Sequence, residues 1–455
     1  MDFKEVQLPQ ALENRLQDQL GPSFKDFSDA LMVEAPVSIR LNPGKPNDNF
    51  ENTQPVSWSN QGRYLASRPR FTDDPLFHAG TYYVQDASSM FLEYVMNQVI
   101  DLDQRLRILD LSAAPGGKST LLQSIMSQDS LLVANEIIGN RNKILKQNLT
   151  RWGGDNHIVT QSDPKYFKSI QQFFDVIVVD APCSGEGLIR KDHAAIQEWS
   201  EHNVQLCASR QKRILADVLP ALSKHGILIY STCTFSKSEN EENMEWLEQE
   251  AGLEAIPLDV PTSFGIVKSG PKDAGHRFYP HKLKGEGFFI AAFRKISTEL
   301  PERSVHRPPA KVSRSGLPTD EDQRWLVEAD DYVYIEREQH RTALRKSMYQ
   351  DYLTLSRSLR ITHAGLYLGK VYHGELKPSP ELALSRFISS SIPKLELTKE
   401  ESLDYLAHIQ LSSYRGLDAG YYLVTHSGYG LGWLHILKTG QVRNKYPSAW
   451  RILKR

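Results

Sequence analysis

The chain has 455 residues, 40% hydrophobic and 24% charged, which is typical of a soluble globular protein of two or three domains. Its 54 Lys and Arg residues balance 55 Asp and Glu residues, so the net charge alone indicates no nucleic-acid partner. The first residues form no apolar signal segment, and no apolar run is long enough to span a membrane, so we expect a cytoplasmic protein. Three cysteines without Cys-x-x-Cys spacing predict neither a disulfide framework nor a metal site.

Three modules follow one another along the chain. Residues 1–75 combine a helix predicted over 9–20 with an extended segment at 37–42, which indicates a small α+β module. Residues 297–318 are Pro-rich and basic and predict a linker. Residues 319–455 form a further α+β module that ends in Gly-punctuated strands at 420–425 and 431–435.

The central region, residues 76–296, alternates apolar strand-like runs with helical patterns, which predicts a doubly wound, Rossmann-like α/β core. The predicted strands are 107–111, 131–135, 157–161, 174–180, 226–231 and 288–293. Helices are predicted at 119–127, 141–152 and 202–224, and Gly226 is expected to terminate the last of these. Ser236 and Glu239 form a capping-box pattern that predicts another helix through Leu247.

A glycine-rich loop follows the first core strand and precedes a helix. It consists of Ala113, Ala114, Pro115, Gly116, Gly117 and Lys118. Glycines allow a ligand to approach the backbone closely, and the start of a helix favours negative charge. A phosphate-binding P-loop is the alternative, but that motif requires a glycine where this chain has Ser112.

Acidic residues follow the next two predicted strands. Glu136 is placed to bind a ribose diol, and Asp163 is placed to accept a hydrogen bond from an adenine amino group. Polar residues at strand ends are common in any α/β sheet. Together with the loop, however, these two acids favour a nucleoside cofactor without phosphate, S-adenosyl-L-methionine.

Two of the three cysteines follow strand ends, Cys183 after Asp180 and Cys233 after the strand at 226–231. Parallel strands could bring both to one crevice, whereas Cys207 lies within a helix and is expected to be an inert buried thiol. A thiolate beside a methyl donor suits methylation of pyrimidine carbon 5, because its addition to carbon 6 activates carbon 5. Asp180 suits the transfer of a proton at ring N3 during that addition.

Residues 80–293 resemble the Sun/nucleolar-protein family of RNA cytosine-5 methyltransferases. The resemblance rests on the motifs VQDASS at 84–89, AAPGGK at 113–118, DAPCSGEG at 180–187 with RKD at 190–192, and YSTCTF at 230–235. Ser112 departs from the cysteine of many relatives without affecting an assigned role. Arg40 and Asn42 also fit the family, without a role that the sequence defines.

The resemblance implies a role for each candidate residue. Cys233 is the nucleophile, Cys183 assists product release, and Lys118 orients the site. The cofactor contacts the loop 113–118, Glu136, Asp163 and Asp180. DNA cytosine-5 methyltransferases instead use a Pro-Cys nucleophile, and this alternative would assign nucleophilic attack to Cys183.

The order of the modules resembles that of bacterial RsmF-type enzymes, which methylate small-subunit ribosomal RNA and carry a PUA-like carboxyl-terminal region. We therefore expect a monomeric RNA methyltransferase acting on 16S ribosomal RNA. Transfer RNA is the alternative substrate, and a catalytically idle ribosome-assembly factor is the alternative function. RNA contacts are expected from both flanking modules, residues 190–191 and 276–284, the linker, and the acid-free last 37 residues, in which Trp433, Tyr446 and Trp450 are interleaved.

Overall fold

The computed structural model describes residues 8–192, 194–296, 315–316, 319–409 and 417–453. Its amino-terminal part contains helices α1 (Gln10–Leu20), α2 (Phe24–Leu31) and α3 (Pro75–Ala79) and strands β1 (Val37–Leu41), β2 (Gln54–Pro55), β3 (Gly62–Leu65) and β4 (Tyr82–Val84). The strands form one antiparallel sheet in the order β2-β3-β1-β4. Because β4 pairs with β1, this sheet extends past residue 75, where the sequence pattern ended the first module.

The central region forms the predicted doubly wound core. Its parallel strands are β5 (Arg107–Asp110), β6 (Leu131–Asn135), β7 (His157–Thr160), β8 (Phe174–Asp180) and β9 (Leu222–Thr232). Its helices are α4 (Phe91–Val99), α5 (Gly117–Ile125), α6 (Gly139–Trp152), α7 (Ala194–Glu198), α8 (Glu201–Val218) and α9 (Glu241–Gln249). The remaining strands are β10 (Leu253–Ile256), β11 (Val267–Ser269), β12 (Gly275–Phe278) and β13 (Phe288–Lys295). The parallel strands lie in the order β7-β6-β5-β8-β9, and β13 adds antiparallel to β9.

Both faces of this sheet are covered, which explains the continuous apolar runs in the strands. Along β8, Val176 and Val178 pack on one face with side chains from α4, α5 and α6. Ile177 and Val179 pack on the other face with side chains from α8 and α9.

The helix predicted over 202–224 is too long. Helix α8 ends at Val218, because Pro220 has no amide hydrogen with which to continue it. Leu222 already belongs to β9, where it pairs with Phe174, and Gly226 lies buried inside that strand. The capping box predicted at Ser236 and Glu239 is also wrong, since α9 begins only at Glu241 and Glu239 binds elsewhere.

The carboxyl-terminal part contains two sheets. The strands are β14 (Ser315–Gly316), β15 (Tyr332–Arg337), β16 (His340–Arg345), β17 (Ile361–Ala364), β18 (Leu366–Tyr372), β19 (Glu375–Pro378), β20 (Lys394–Glu396), β21 (Gly420–His426), β22 (Tyr429–Ile436) and β23 (Val442–Asn444). The helices are α10 (Asp320–Trp325), α11 (Tyr349–Leu355), α12 (Pro380–Leu384) and α13 (Lys399–Leu406). One sheet has the order β14-β15-β16-β18-β19 and the other the order β20-β21-β22-β23, whereas β17 joins the core by pairing with β7.

Buried polar groups hold these parts on the core. The Lys45 ammonium donates to the carbonyls of Ala79, Arg151 and Leu384 at 2.7–2.8 Å, so it joins all three parts of the molecule. Burial lowers the pKa of Lys45 to about 7. None of the helices in the described part of the chain has the length and apolar character that a membrane span needs.

Candidate active site

The carboxyl ends of β5, β8 and β9 meet at one edge of the core sheet, where Asp180 is held from two sides. Lys118 Nζ lies 2.8 Å from Asp180 Oδ2, and the Ser231 hydroxyl donates to Oδ1 at 2.8 Å. The side chain of Asp180 nevertheless stays 37% exposed, so a substrate can reach it. Lys118 and Asp180, predicted from separate motifs, therefore belong to one site.

The structure also brings Cys183 and Cys233 together at this edge. Both are free and half-buried, their sulfur atoms lie 2.8 Å apart, and the Cys233 amide donates to Cys183 Sγ at 3.3 Å. The hydrogen bond to Cys233 and burial raise the pKa of Cys183 well above its ordinary value. Cys183 therefore stays protonated at neutral pH and can donate to the Cys233 sulfur. Cys207 lies buried on α8, away from this pair.

Sequence reasoning missed a buried carboxylate that joins the two cysteine loops. Glu239 accepts hydrogen bonds from the amide of Ser184 at 3.0 Å, from its hydroxyl at 2.5 Å and from Gln211 at 2.8 Å. The Ser184 hydroxyl also lies 2.9 Å from that of Thr234, next to Cys233. Burial raises the pKa of Glu239, and its hydrogen bonds oppose that shift. The acidic residue three positions after Ser236 was visible in the sequence, but only as a capping pattern.

A second buried acid, Glu186, ties these loops to the amino-terminal helix. It accepts from the amide of Phe235 at 3.1 Å and from the indole of Trp199 at 2.8 Å, and it forms an ion pair with Arg15 of α1. The segment after Cys183 is thus fixed from the core and from α1.

The loop between β5 and α5 is held by contacts to its backbone. The amide of Ala113 donates to Asn135, and the carbonyls of Ala114 and Pro115 accept from Arg141 and Asn148, each at 2.8 Å. Gly116 has a φ of +113°, and a Cβ there would lie 3.3 Å from a methyl group of Leu145. Gly117 then begins α5. The loop therefore curls closely against α6.

Glu136 and Asp163 follow β6 and β7, at the same edge of the sheet. Glu136 is buried, accepts from the amide of Ile138 at 2.8 Å and lies 3.5 Å from Arg141. The side chain of Asp163 is 40% exposed and caps a short 3-10 turn by accepting from the amide of Lys165. Both acids border the loop region.

A further acid, Asp110, was not among the predicted site residues although it ends β5 directly before the loop. Burial raises its pKa to about 7, against an opposing hydrogen bond from Ser119 at 2.6 Å. Its Oδ1 is buried and has no hydrogen-bond partner in the part of the chain that the structure describes. Acids at three strand ends and a closely packed glycine suit a nucleoside with a positive charge, and they suit a phosphate poorly.

Arg40 acquires a role that the sequence did not define. From β1 its buried guanidinium donates to Gln85 and to the carbonyl of Gly117 and the hydroxyl of Thr120 in α5, at 2.6–3.2 Å. Burial lowers its pKa to about 9. Arg40 thereby fixes the start of the helix that follows the loop. Asn42, directly after the same strand, donates to the carbonyls of Gly80 and Trp152.

Several positions predicted to contact RNA are buried. Arg190 pairs with Glu286 at 3.1 Å and Arg277 pairs with Glu241, while His276, Trp433 and Tyr446 lie in the interior. Lysines and arginines that remain exposed include Lys191, Lys282, Lys284, Lys438, Arg443, Lys445 and Arg451. Linker residues Arg303, His306, Arg307, Lys311 and Arg314, with Lys454 and Arg455, lie outside the described residues. Within the described ranges, no three His, Cys, Asp or Glu side chains are grouped to hold a metal ion.

A doubly wound core with this loop, strand-end acids and paired cysteines defines a methyltransferase of the Rossmann type. Three family models match the chain: 16S rRNA methyltransferase RsmB/F over residues 97–294, the N-terminal domain of 16S rRNA methyltransferase RsmF over 8–87, and the methyltransferase RsmF PUA domain over 392–452. The chain belongs to the RsmB/F family of 16S rRNA methyltransferases.

Curated relatives carry the name ribosomal RNA small subunit methyltransferase F. The protein from Pectobacterium atrosepticum is 31% identical over 330 residues, which cover 69% of this chain and 67% of the relative. The protein from Escherichia coli is 32% identical over 311 residues, 64% of each chain. The alignments therefore span about two thirds of these relatives.

Solved structures agree with the fold. A methyltransferase homolog protein from Pyrococcus horikoshii is 28% identical, with a TM-score of 0.55 over 64% of this chain and 96% of that one. NSun6 from Pyrococcus horikoshii with SFG is 20% identical, with a TM-score of 0.53 over 64% of this chain and 99% of that one. The predictions of a Rossmann-like core and a carboxyl-terminal PUA domain are confirmed. Family membership also confirms S-adenosyl-L-methionine, the methyl donor, as the predicted cofactor.

Proposed function

We propose that this protein transfers a methyl group from S-adenosyl-L-methionine to carbon 5 of a cytidine in 16S ribosomal RNA. The observation that carries the proposal is the pair of cysteine sulfurs 2.8 Å apart, at the same strand edge as the exposed carboxylate of Asp180. Oxygen or nitrogen methylation needs no thiol, because a lone pair on the acceptor attacks directly. Carbon 5 of cytosine is a poor nucleophile and needs covalent activation.

Cys233 is the nucleophile in this proposal. Its thiolate adds to carbon 6 while N3 takes a proton from Asp180, which enters this step as a neutral carboxylic acid and leaves it as a carboxylate paired with Lys118. Lys118 and Ser231 keep the Asp180 carboxyl group oriented toward the base. Bound S-adenosyl-L-methionine supplies an electrophilic methyl group to the carbon 5 that this addition activates.

Cys183 assists release of the product. Because its pKa is raised, it is a neutral thiol beside Cys233 and donates to the Cys233 sulfur. After methyl transfer, the carbon 5 proton is lost to water, the N3 proton returns to Asp180, and the bond between Cys233 and carbon 6 breaks. The adjacent Cys183 thiol stabilises the departing thiolate by its hydrogen bond. The raised pKa of Cys183 disfavours Cys183 as the attacking group.

The remaining predicted residues hold the cofactor. The backbone of Ala113–Gly117 would contact it, Glu136 would accept from the ribose hydroxyls, and Asp163 would accept from the adenine amino group. Asp110 joins this set, because its unpartnered carboxylate oxygen lies directly before the loop. The amino-terminal and carboxyl-terminal parts contribute contacts to RNA. We assign the activity to the cytoplasm, where ribosomal subunits are assembled.

The decisive experiment incubates the protein with labelled S-adenosyl-L-methionine and separate unmodified pools of small ribosomal subunits, naked ribosomal RNA and transfer RNA. Bisulfite sequencing then locates any 5-methylcytidine. We expect label at a defined cytidine of small-subunit RNA. Label in transfer RNA alone would overturn the substrate, and cofactor binding without label in any pool would overturn the activity in favour of an assembly factor.

A trapping experiment separates the two cysteines. Cys183→Ala should accumulate the covalent adduct with RNA on a denaturing gel, because formation continues while release slows. Cys233→Ala should form no adduct and lose more than about a thousandfold in kcat, as expected on removal of a nucleophile. The reverse pattern would assign nucleophilic attack to Cys183, and Cys207→Ala serves as the control for a cysteine outside the pair.

A further inference from the structure

A second cleft, of about 270 Å³, opens between the amino-terminal sheet and the carboxyl end of α6. Its walls include the aromatic rings of Phe71, Phe77 and Tyr83, and the arginines Arg68 and Arg151 also line it. Among the residues that the structure describes, no acidic side chain lines the cleft. The volume lies just below the range of roughly 300–1,000 Å³ for drug-sized ligands, which suits a single nucleoside.

The two arginines of this cleft carry positive charge that no carboxylate neutralises in the described part of the chain. Arg68 lies over the ring of Phe71 at 5.6 Å, and Arg151 lies between the rings of Phe77, at 5.6 Å, and Trp450, at 5.9 Å. A guanidinium stacked on a ring keeps its N–H groups in a plane and can bind a phosphate through them.

The cleft borders the cofactor loop. Asn148 donates to the carbonyl of Pro115 at 2.8 Å and to the hydroxyl of Tyr83 at 3.4 Å. The ring of Tyr83 lies so close to Gly117 that a Cβ there would be 3.5 Å from it. The inner wall of the cleft is therefore in contact with the loop that leads to Lys118.

We propose that this cleft binds one unpaired nucleotide of the RNA substrate that flanks the target cytidine. Its base stacks on Phe77 and Tyr83, and Arg68 and Arg151 bind the adjoining phosphates. This inference rests on the proposed function. A target cytidine must leave its helical stack to react, so neighbouring nucleotides also lose stacking partners, and aromatic rings replace those partners without regard to sequence.

The Arg68→Ala variant tests the proposal by steady-state kinetics. Because the Arg68 side chain is exposed, we expect the variant to keep its fold. We expect the KM for unmodified 16S RNA to rise about 5- to 10-fold, with kcat and the KM for S-adenosyl-L-methionine unchanged. The slope of log affinity against log salt should also fall by about one, as for a lost phosphate contact. Arg70→Ala is the matched control, because Arg70 pairs with Asp73 at 3.5 Å and does not line the cleft.

Photocrosslinking locates the nucleotide directly. The RNA carries 4-thiouridine at positions flanking the methylated cytidine, and mass spectrometry identifies the crosslinked peptide. Crosslinks at Phe77 or Tyr83 support the proposal. Crosslinks only elsewhere, together with equal effects of Arg68→Ala and Arg70→Ala, would overturn it. If wild-type protein methylates the RNA in that case, the cleft assignment fails alone; if it does not, the proposed function fails.

Discussion

A buried charge anchors the cofactor half of the candidate site, and a buried charge of opposite sign anchors the cysteine half. On the cofactor side, the cation of Arg40 donates to a carbonyl and a hydroxyl of α5. On the cysteine side, the anion of Glu239 accepts from an amide and a hydroxyl of Ser184. Both charged side chains hydrogen-bond to these neutral groups. The hydrogen bonds offset the cost of removing each charge from water.

The comparison teaches that these two charges come from different parts of the molecule. Arg40 comes from the amino-terminal sheet, whereas Glu239 and Ser184 both belong to the core, although α1 also reaches the cysteine loops through the pair of Arg15 with Glu186. A defect at Arg40 should therefore weaken cofactor binding, and a defect at Glu239 should weaken the chemical step. Variants at these residues test whether cofactor binding and the chemical step can be weakened separately.

Arg40→Ala should have the largest effect. It leaves buried carbonyls and hydroxyls without donors, so we expect a loss of about 3–5 kcal/mol in the free energy of unfolding. Cofactor affinity should fall at least about tenfold, because the start of α5 loses its anchor. Urea unfolding and calorimetric titration measure the two quantities. Arg63→Ala is the control, since the Arg63 guanidinium donates to carbonyls of its own turn, at Asn60 and Gly62. Unchanged cofactor affinity in a folded Arg40→Ala protein would contradict the division.

Glu239→Gln should have the next largest effect. The new amide group cannot accept from Ser184 at both oxygens, so the two cysteine loops lose their shared position. We expect kcat to fall about 10- to 100-fold while the dissociation constant of the cofactor stays unchanged. Single-turnover methylation and calorimetry measure both. Glu242→Gln, an exposed neighbour on α9, should have no effect on either quantity. A Glu239→Gln protein with weaker cofactor binding and normal kcat would show that the halves are not separate.

Asp110→Asn should have the smallest effect, on the pH dependence of stability. The pKa of Asp110 is raised by burial from its ordinary value of 3.8 to about 7, so its contribution to stability is full below about pH 4 and is lost as pH rises through 7. The Tm of the wild type minus that of the Asn variant, both measured without cofactor, should therefore fall by a few degrees between pH 5 and 8. Glu239 and Glu286, whose pKa values burial also raises, contribute a slope of the same sign in both proteins, and His157 and His363, whose pKa values burial lowers, contribute a slope of the opposite sign in both. An unchanged slope would exclude Asp110 as the titrating group.

The local sequence pattern was sufficient to predict which residues of the candidate site lie at strand ends. Apolar runs such as 174–180 and 131–135 end where polar residues begin, so Asp180 and Glu136 could be placed at one edge of a parallel sheet. The predicted end of the helix over 202–224 was wrong because helical spacing continued into a strand. Leu222 keeps that spacing but pairs with β8 instead of continuing α8. The capping pattern at Glu239 failed for another reason, because that carboxylate accepts from Ser184 and Gln211.

The sequence thus defined the loop, the strand-end acids and the two cysteines, because each follows from residues close together in the chain. The folded structure alone revealed which charges are buried. Arg40 lies 77 residues from Gly117, and Glu239 lies 55 residues from Ser184, so no local pattern joins them. For the same reason Arg190 and Arg277, basic and apparently available in the sequence, are buried ion-pair partners of Glu286 and Glu241. Whether a charge faces solvent or a distant partner depends on long-range packing, which hydrophobic periodicity does not encode.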